Sequence, residues 1–206
     1  MKLLFSPPSS DDLIRLLKAW RFWLAGAILG ALLGGAVYLI LPPPFRATAT
    51  VNVDFHLEQA SPQNAPSVQF YYLERETRKL EEIAMSDSVL GTVVSQVGGV
   101  TIEQLRAQKF QLSQPGNGGW HFYADDRDPQ RAAALASAWA LAFSQTVKTS
   151  VADPSTGVEQ FITASPSQIE ALPVDRNISL SLYLLVGSTA FLAVGGVAIL
   201  FIDLKR

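Results

Sequence analysis

Residues 42–55 read Pro42-Pro43-Pro44-Phe45-Arg46-Ala47-Thr48-Ala49-Thr50-Val51-Asn52-Val53-Asp54-Phe55. The three prolines hold an extended conformation and lack backbone N–H donors, so they end any helix that precedes them. Beyond them Ala47, Ala49, Val51, Val53 and Phe55 alternate with Thr48, Thr50, Asn52 and Asp54. A period of two puts the apolar set on one face and the polar set on the other, which predicts a strand with one buried face. A helix before the prolines and a half-buried strand after them set the organisation of the chain.

The segment upstream is apolar. From Trp20 to Leu41 no charge follows Arg21, and the next is Arg46. About 20 apolar residues, rising about 1.5 Å each, span a hydrocarbon core of roughly 30 Å. A second uncharged run covers Leu182 to Ile202. A cleaved signal peptide is the alternative for the first run. Its length exceeds the usual apolar core of about 7–15 residues, and no small-residue cleavage site precedes Pro42, which favours an uncleaved anchor. Arg15, Lys18 and Arg21 precede the first run, and Lys205 and Arg206 follow the second. By the positive-inside rule both termini are then expected in the cytoplasm. The expected organisation is a cytoplasmic segment 1–19, a transmembrane helix 20–41, an extracytoplasmic α/β domain 42–180, a second transmembrane helix 181–202 and a cytoplasmic tail 203–206. Trp20, Trp23, Tyr38 and Tyr183 fall where interfacial aromatics are expected.

Gly26, Gly30 and Gly34 recur every four residues and share one helix face. Such a face allows close approach of another helix, so these three are the candidate residues for helix packing and oligomerisation. The other reading is that glycine is simply common in membrane helices.

Composition narrows the function classes. The chain has 206 residues, 49% of them hydrophobic, and a formal net charge of -2. Mean hydropathy is +0.22. This balance gives no basis for bulk electrostatic binding to nucleic acid. There is no cysteine, which removes disulfides, thiolate nucleophiles and cysteine-bound zinc together.

Downstream of the first strand, Ala60 to Pro66 reads as a loop. From Val68 a helix places Leu73, Thr77, Leu80 and Ala84 on one face, with Glu and Arg on the other. Ser86 can cap a second helix carrying Val89, Leu90, Val93, Val94 and Val97, which Gly98-Gly99 ends. Thr101 with Gln104 has the spacing of a capping box. Phe110 and Leu112 begin a second strand. Residues 115–119 form a turn. Trp120, Phe122 and Ala124 then alternate with His121, Tyr123 and Asp125 in a third strand. Asp128 and Pro129 start a helix with the apolar stripe Ala132, Leu135, Ala136, Trp139, Phe143 and Val147. A weak final strand is expected near Val158 to Ala164. The order βαββαβ predicts an α+β domain whose antiparallel sheet carries helices on one face, compatible with a ferredoxin-like arrangement. If the first and last strands are neighbours, both apolar helices leave from the same region.

In this order the chain resembles the polysaccharide co-polymerase, or chain-length determinant (Wzz-type), family. The matching features are the basic N-terminal segment and first span, Pro42 to Ala49, the helix break Ile83-Ala84-Met85-Ser86-Asp87-Ser88-Val89-Leu90, and Asp128-Pro129 before Ala132, Ala133, Leu135 and Ala136. Pro166 and Pro173 stand as the proline-rich approach to the second span, where the family often has three prolines. The chain has no room for the long coiled-coil extension of family members that set long polymers, and resembles the short members. The resemblance implies a homo-oligomeric scaffold in a bacterial cytoplasmic membrane. It would regulate the chain length of a surface polysaccharide together with a membrane polymerase and the growing glycan. Neither end carries the phosphate loop G-x-x-x-x-G-K-[ST] or a tyrosine cluster, so any partner tyrosine kinase, which the resemblance implies for parts of the family, would be a separate cytoplasmic protein.

Candidate chemistry is sparse. Asp125, Asp126 and Asp128 suggest a metal or acid–base group, but a turn and a helix cap account for them, and a calcium loop would need more spaced oxygen ligands. His56 and His121 are far apart and read as surface polar residues. No G-x-S-x-G elbow occurs. Phe70-Tyr71-Tyr72 could stack on sugars or fill an interface. Glu74, Arg75, Glu76, Arg78, Lys79, Glu81 and Glu82 make either a solvated mixed-charge face or a salt-bridged contact between copies. The expectation is a protein without cofactor or enzymatic activity. A sensor or adaptor ectodomain and a membrane-anchored glycan enzyme are the alternatives.

Overall fold

In the computed structural model, which describes residues 20–56, 66–114, 119–156, 158 and 160–202, the alternating segment forms strand β1, Phe45–Asp54. Its apolar set is buried: Ala47, Ala49, Val51 and Val53 are all at most 5% exposed. The expected segment 1–19, most of the loop after Ala60, most of the 115–119 turn and the tail 203–206 lie outside the described residues.

Five strands make one antiparallel sheet in an α+β domain, Pro44–Asn177. Helix α1 (Trp20–Ile40) precedes β1, and helices α2 (Pro66–Ala84) and α3 (Asp87–Val97) follow it. Strand β2 (Phe110–Ser113) and strand β3 (Gly119–Asp126) follow, then α4 (Pro129–Ala152), β4 (Thr163–Gln168), β5 (Val174–Arg176) and α5 (Leu180–Ile202). The order across the sheet is β2-β3-β1-β4, with β5 also on β1. Strands β1 and β2 each run antiparallel to β3, so they are parallel to each other with β3 inserted between them, a split βαβ arrangement.

One edge of β1 is shared. Its second half, from Thr50, pairs with β4, and its first half pairs with β5 in the register Phe45↔Arg176, Arg46↔Asp175 and Ala47↔Val174. The final strand therefore differs from the expectation near Val158 to Ala164. It begins at Thr163 and is followed by a second short strand that the sequence pattern did not indicate. Pro166 lies in β4 opposite Val51, where an edge strand tolerates the missing N–H donor.

Helix α4 covers the sheet with its apolar stripe. Trp139 stacks on Phe110 at 4.1 Å between ring centroids and meets Phe122 edge-on at 4.8 Å. Phe143 contacts Phe122 and Trp120 at 5.1 and 5.6 Å. Such aromatic pairs add to area burial and fix the helix position on the sheet. Helix α3 packs on α4, and α2 joins the core through its C-terminal residues Leu80 and Ala84. The caps have the expected chemistry. Ser86 Oγ accepts from Val89 N, Asp128 Oδ1 from Gln130 N, and Thr101 and Gln104 form both bonds of a capping box. That box opens a single α-turn which widens into a π-helical turn, Leu105–Lys109, before β2.

Residues before Pro44 and after Asn177 form a separate unit containing α1 and α5. Helix α1 is long and apolar enough to cross a membrane. Helix α5 has 23 residues and no charge before its end at Ile202.

Candidate functional site

The two apolar helices pack antiparallel, and glycine makes the contact. A Cβ at Gly30 would overlap the Gly187 carbonyl, one at Gly34 the Tyr183 carbonyl, and one at Gly187 the Gly30 carbonyl. The backbones touch where side chains are absent, which maximises dispersion contact between the two helices. Ser188 Oγ hydrogen-bonds the Ala27 carbonyl at 3.0 Å, alongside its bond to Leu184 O in its own helix. Tyr38 and Tyr183 meet edge-on at 5.4 Å. Of the three predicted glycines, Gly30 and Gly34 therefore stand against α5 of the same chain, while a Cβ at Gly26 meets open space. The packing partner of this stripe is intramolecular. Gly187 of α5 is the matching half of the contact.

The α+β domain fastens its own ends. Asp125 accepts two 2.8 Å bonds from Arg46, through Nε and Nη2, and a third of 2.9 Å from Asn177 Nδ2. Asn177 N donates to Pro44 O at 2.9 Å. The Arg176 guanidinium sits 4.1 Å over the Phe45 ring. Arg46 follows the three prolines and Asn177 precedes α5, so one carboxylate ties the start of the first strand to the last residue of the domain. Pro173 is exposed in the connection between β4 and β5, three residues before the clasp begins at Arg176.

The other acidic residues are absorbed into structure. Asp126 is buried. Burial alone would raise its carboxyl, but the Lys109 ammonium, the Asp128 N–H and the Arg131 guanidinium outweigh that and hold it below the ordinary aspartate value. Asp128 caps α4. The three carboxylates thus serve three separate contacts. Among the described residues, no group of three or more His, Asp or Glu is placed to hold a metal ion. His121 lies on the polar face of the sheet with Nδ1 3.1 Å from Thr50 Oγ1. His56 follows β1 in a left-handed conformation, φ 40, with its N–H on Asp54 Oδ1 at 3.0 Å.

Glu76 is the residue the sequence reading misplaced. It was grouped with the charged face of α2, yet it is fully buried, with Oε1 taken by Arg75 Nε at 2.7 Å and Lys79 Nζ at 2.8 Å. The signal was its i,i+4,i+8 spacing to Leu80 and Ala84, the two residues that seat the helix. Glu74, Arg78, Glu81 and Glu82 are exposed, as are Phe70 and Tyr71, while Arg75 and Lys79 are half-buried.

No protein-family model matches the chain, and no curated protein matches its sequence.

Proposed function

We propose that the chain is a membrane-anchored, non-enzymatic scaffold that regulates the length of a surface polysaccharide, in the manner of the polysaccharide co-polymerases it resembles. In this reading α1 and α5 both cross the cytoplasmic membrane, the termini are cytoplasmic, and a ferredoxin-like domain lies outside. Copies assemble beside a membrane polymerase and its growing glycan.

The observation that supports this reading best is the clasp at the domain ends. A domain inserted between two spans must deliver both of its ends to one place. Here β1 and β5 pair at those ends, Asp125 ties Arg46 to Asn177, and the helices beyond them pack as an antiparallel pair. A glycan hydrolase would require carboxylates flanking a cleft, whereas Asp125, Asp126 and Asp128 are each engaged in holding the fold.

Deleting the gene and resolving the surface polysaccharide by gel tests the reading. A shifted length distribution at similar total polymer supports it. An unchanged distribution at unchanged amount overturns it.

A further inference from the structure

Helix α2 touches the core only through its C-terminal half. Its outer surface carries Phe70, 68% exposed, and Tyr71, 61% exposed, followed by Glu74, Arg78 and Glu82 at intervals of four. Residues four apart lie one above another on a helix, so the last three form a single stripe of charge order minus, plus, minus, with the aromatic pair at its N-terminal end. A shallow groove along it is lined by Tyr71, Glu74, Arg75, Arg78, Lys79 and Glu82.

We infer that this stripe is the surface on which a second copy of the chain docks, with the two helices offset by one turn. The occupant follows from the charge order. Two such stripes aligned in parallel register place like on like, and an antiparallel pair centred on Arg78 opposes the two guanidinium groups. Shifting either arrangement by one turn, about 6 Å, sets Arg78 of one copy against Glu74 or Glu82 of the other. A second copy bears the same alternation by necessity, so both copies gain ion pairs from that shift. Within one chain Arg78 reaches Glu74 at only 3.4 Å between exposed side chains. Such a pair contributes little in water, so the arginine can exchange it for an intermolecular one at small cost. The two exposed rings supply the apolar area such a contact needs.

The stripe is short. Residues 70–82 extend roughly 18 Å, well below the roughly 800 Å² per partner of a stable soluble interface even at a generous width. The contact therefore depends on the anchors. Confinement to one membrane raises the effective concentration of the copies and makes a weak surface sufficient. The inference rests in this respect on the proposed function, which supplies the shared membrane.

The test uses the full chain in its own membrane, with association read by chemical cross-linking of two differently tagged copies. Wild type should give mixed-tag dimers and higher species. Arg78→Glu should lower their yield at least several-fold. Inverting the whole stripe, with Glu74→Arg, Arg78→Glu and Glu82→Arg together, should restore it, because plus, minus, plus is again self-complementary. The restoration separates docking from simple damage to the helix. Undiminished cross-linking of Arg78→Glu overturns the docking surface while leaving the scaffold reading intact. Failure of the inverted stripe to recover overturns the charge-order argument. A wild type that never cross-links removes both the surface and the oligomeric scaffold on which it depends.

Discussion

Both carboxylate oxygens of Asp125 are engaged by Arg46, at 2.8 Å each, across a sequence separation of 79 residues. The two positions are opposite each other in the β1–β3 register, on the polar face of the sheet. The side chains are only 28% and 13% exposed for Arg46 and Asp125. A fork-on-carboxylate pair with this geometry is among the stronger polar contacts a domain makes.

Asp125→Ala should therefore lower stability by about 2 kcal/mol, the scale of losing hydrogen bonds to a charged group and leaving its partner poorly solvated. Thermal unfolding of the detergent-solubilised chain measures it. Asn177→Ala removes one neutral donor from the same oxygen and should cost about 1 kcal/mol or less. The larger loss should come from Asp125. Equal losses would mean that the Arg46 pair contributes nothing.

Asp126 makes stability depend on acid. Its folded-state carboxyl titrates below the ordinary value, because Lys109, Arg131 and the Asp128 N–H outweigh burial. Between the two values the unfolded chain binds more protons than the folded one. The contribution is complete above the unfolded aspartate value of about 3.9 and is lost as pH falls through the lower folded value. In a pH series of urea unfolding, wild type should lose stability over that window. Asp126→Asn should be less stable near neutrality and should lose less as the acid window is crossed. Parallel curves would show that another carboxylate carries the effect.

Trp139 is tied to the C-terminus of α2, its indole N–H donating to the Ala84 carbonyl at 2.7 Å in the buried core. Trp139→Phe keeps an aromatic ring against Phe110 but strands that carbonyl without its partner. A loss of about 1–3 kcal/mol is expected, with hydrogen exchange accelerating in α2 more than in β3. Acceleration confined to the sheet would contradict the tie.

The tie at Trp139 also marks where sequence pattern stopped being sufficient. Phe45–Asp54 was legible because one strand face is apolar and the other polar, and the caps at Ser86, Thr101 and Asp128 because capping uses a few side chains at fixed offsets. The β4 and β5 segments were not. Thr163–Gln168 contains Pro166 and few β-formers, and it becomes a strand because β1 offers it an edge, which is tertiary context overriding propensity. Glu76 was hidden for a related reason. Charge argues for the surface, and only the neighbouring Arg75 and Lys79 make its burial tolerable. For the apolar helices the spacing of Gly26, Gly30 and Gly34 revealed a face that another helix could approach. It could not reveal that Gly187 and Tyr183 of the same chain occupy that face, or that Gly26 falls off it.

That last distinction gives a sharp test. Leucine at Gly30 would drive its side chain into the Gly187 backbone, which cannot retreat without separating the helices, whereas leucine at Gly26 enters open space. The chain has no cysteine, so an introduced pair reports only on itself. Ala27 and Ser188 are in contact across the helices, through the 3.0 Å bond from Ser188 Oγ to the Ala27 carbonyl. Cysteines at these two positions should cross-link within one chain under mild oxidation. Gly26→Leu should leave the yield unchanged, and Gly30→Leu should reduce it severely. The same outcome would assign the glycine contact to the pairing of helices inside each copy. If instead Gly30→Leu left the intrachain cross-link intact and abolished association between copies, the glycines would belong to the intermolecular interface, and the antiparallel pairing of α1 with α5 would have to be abandoned.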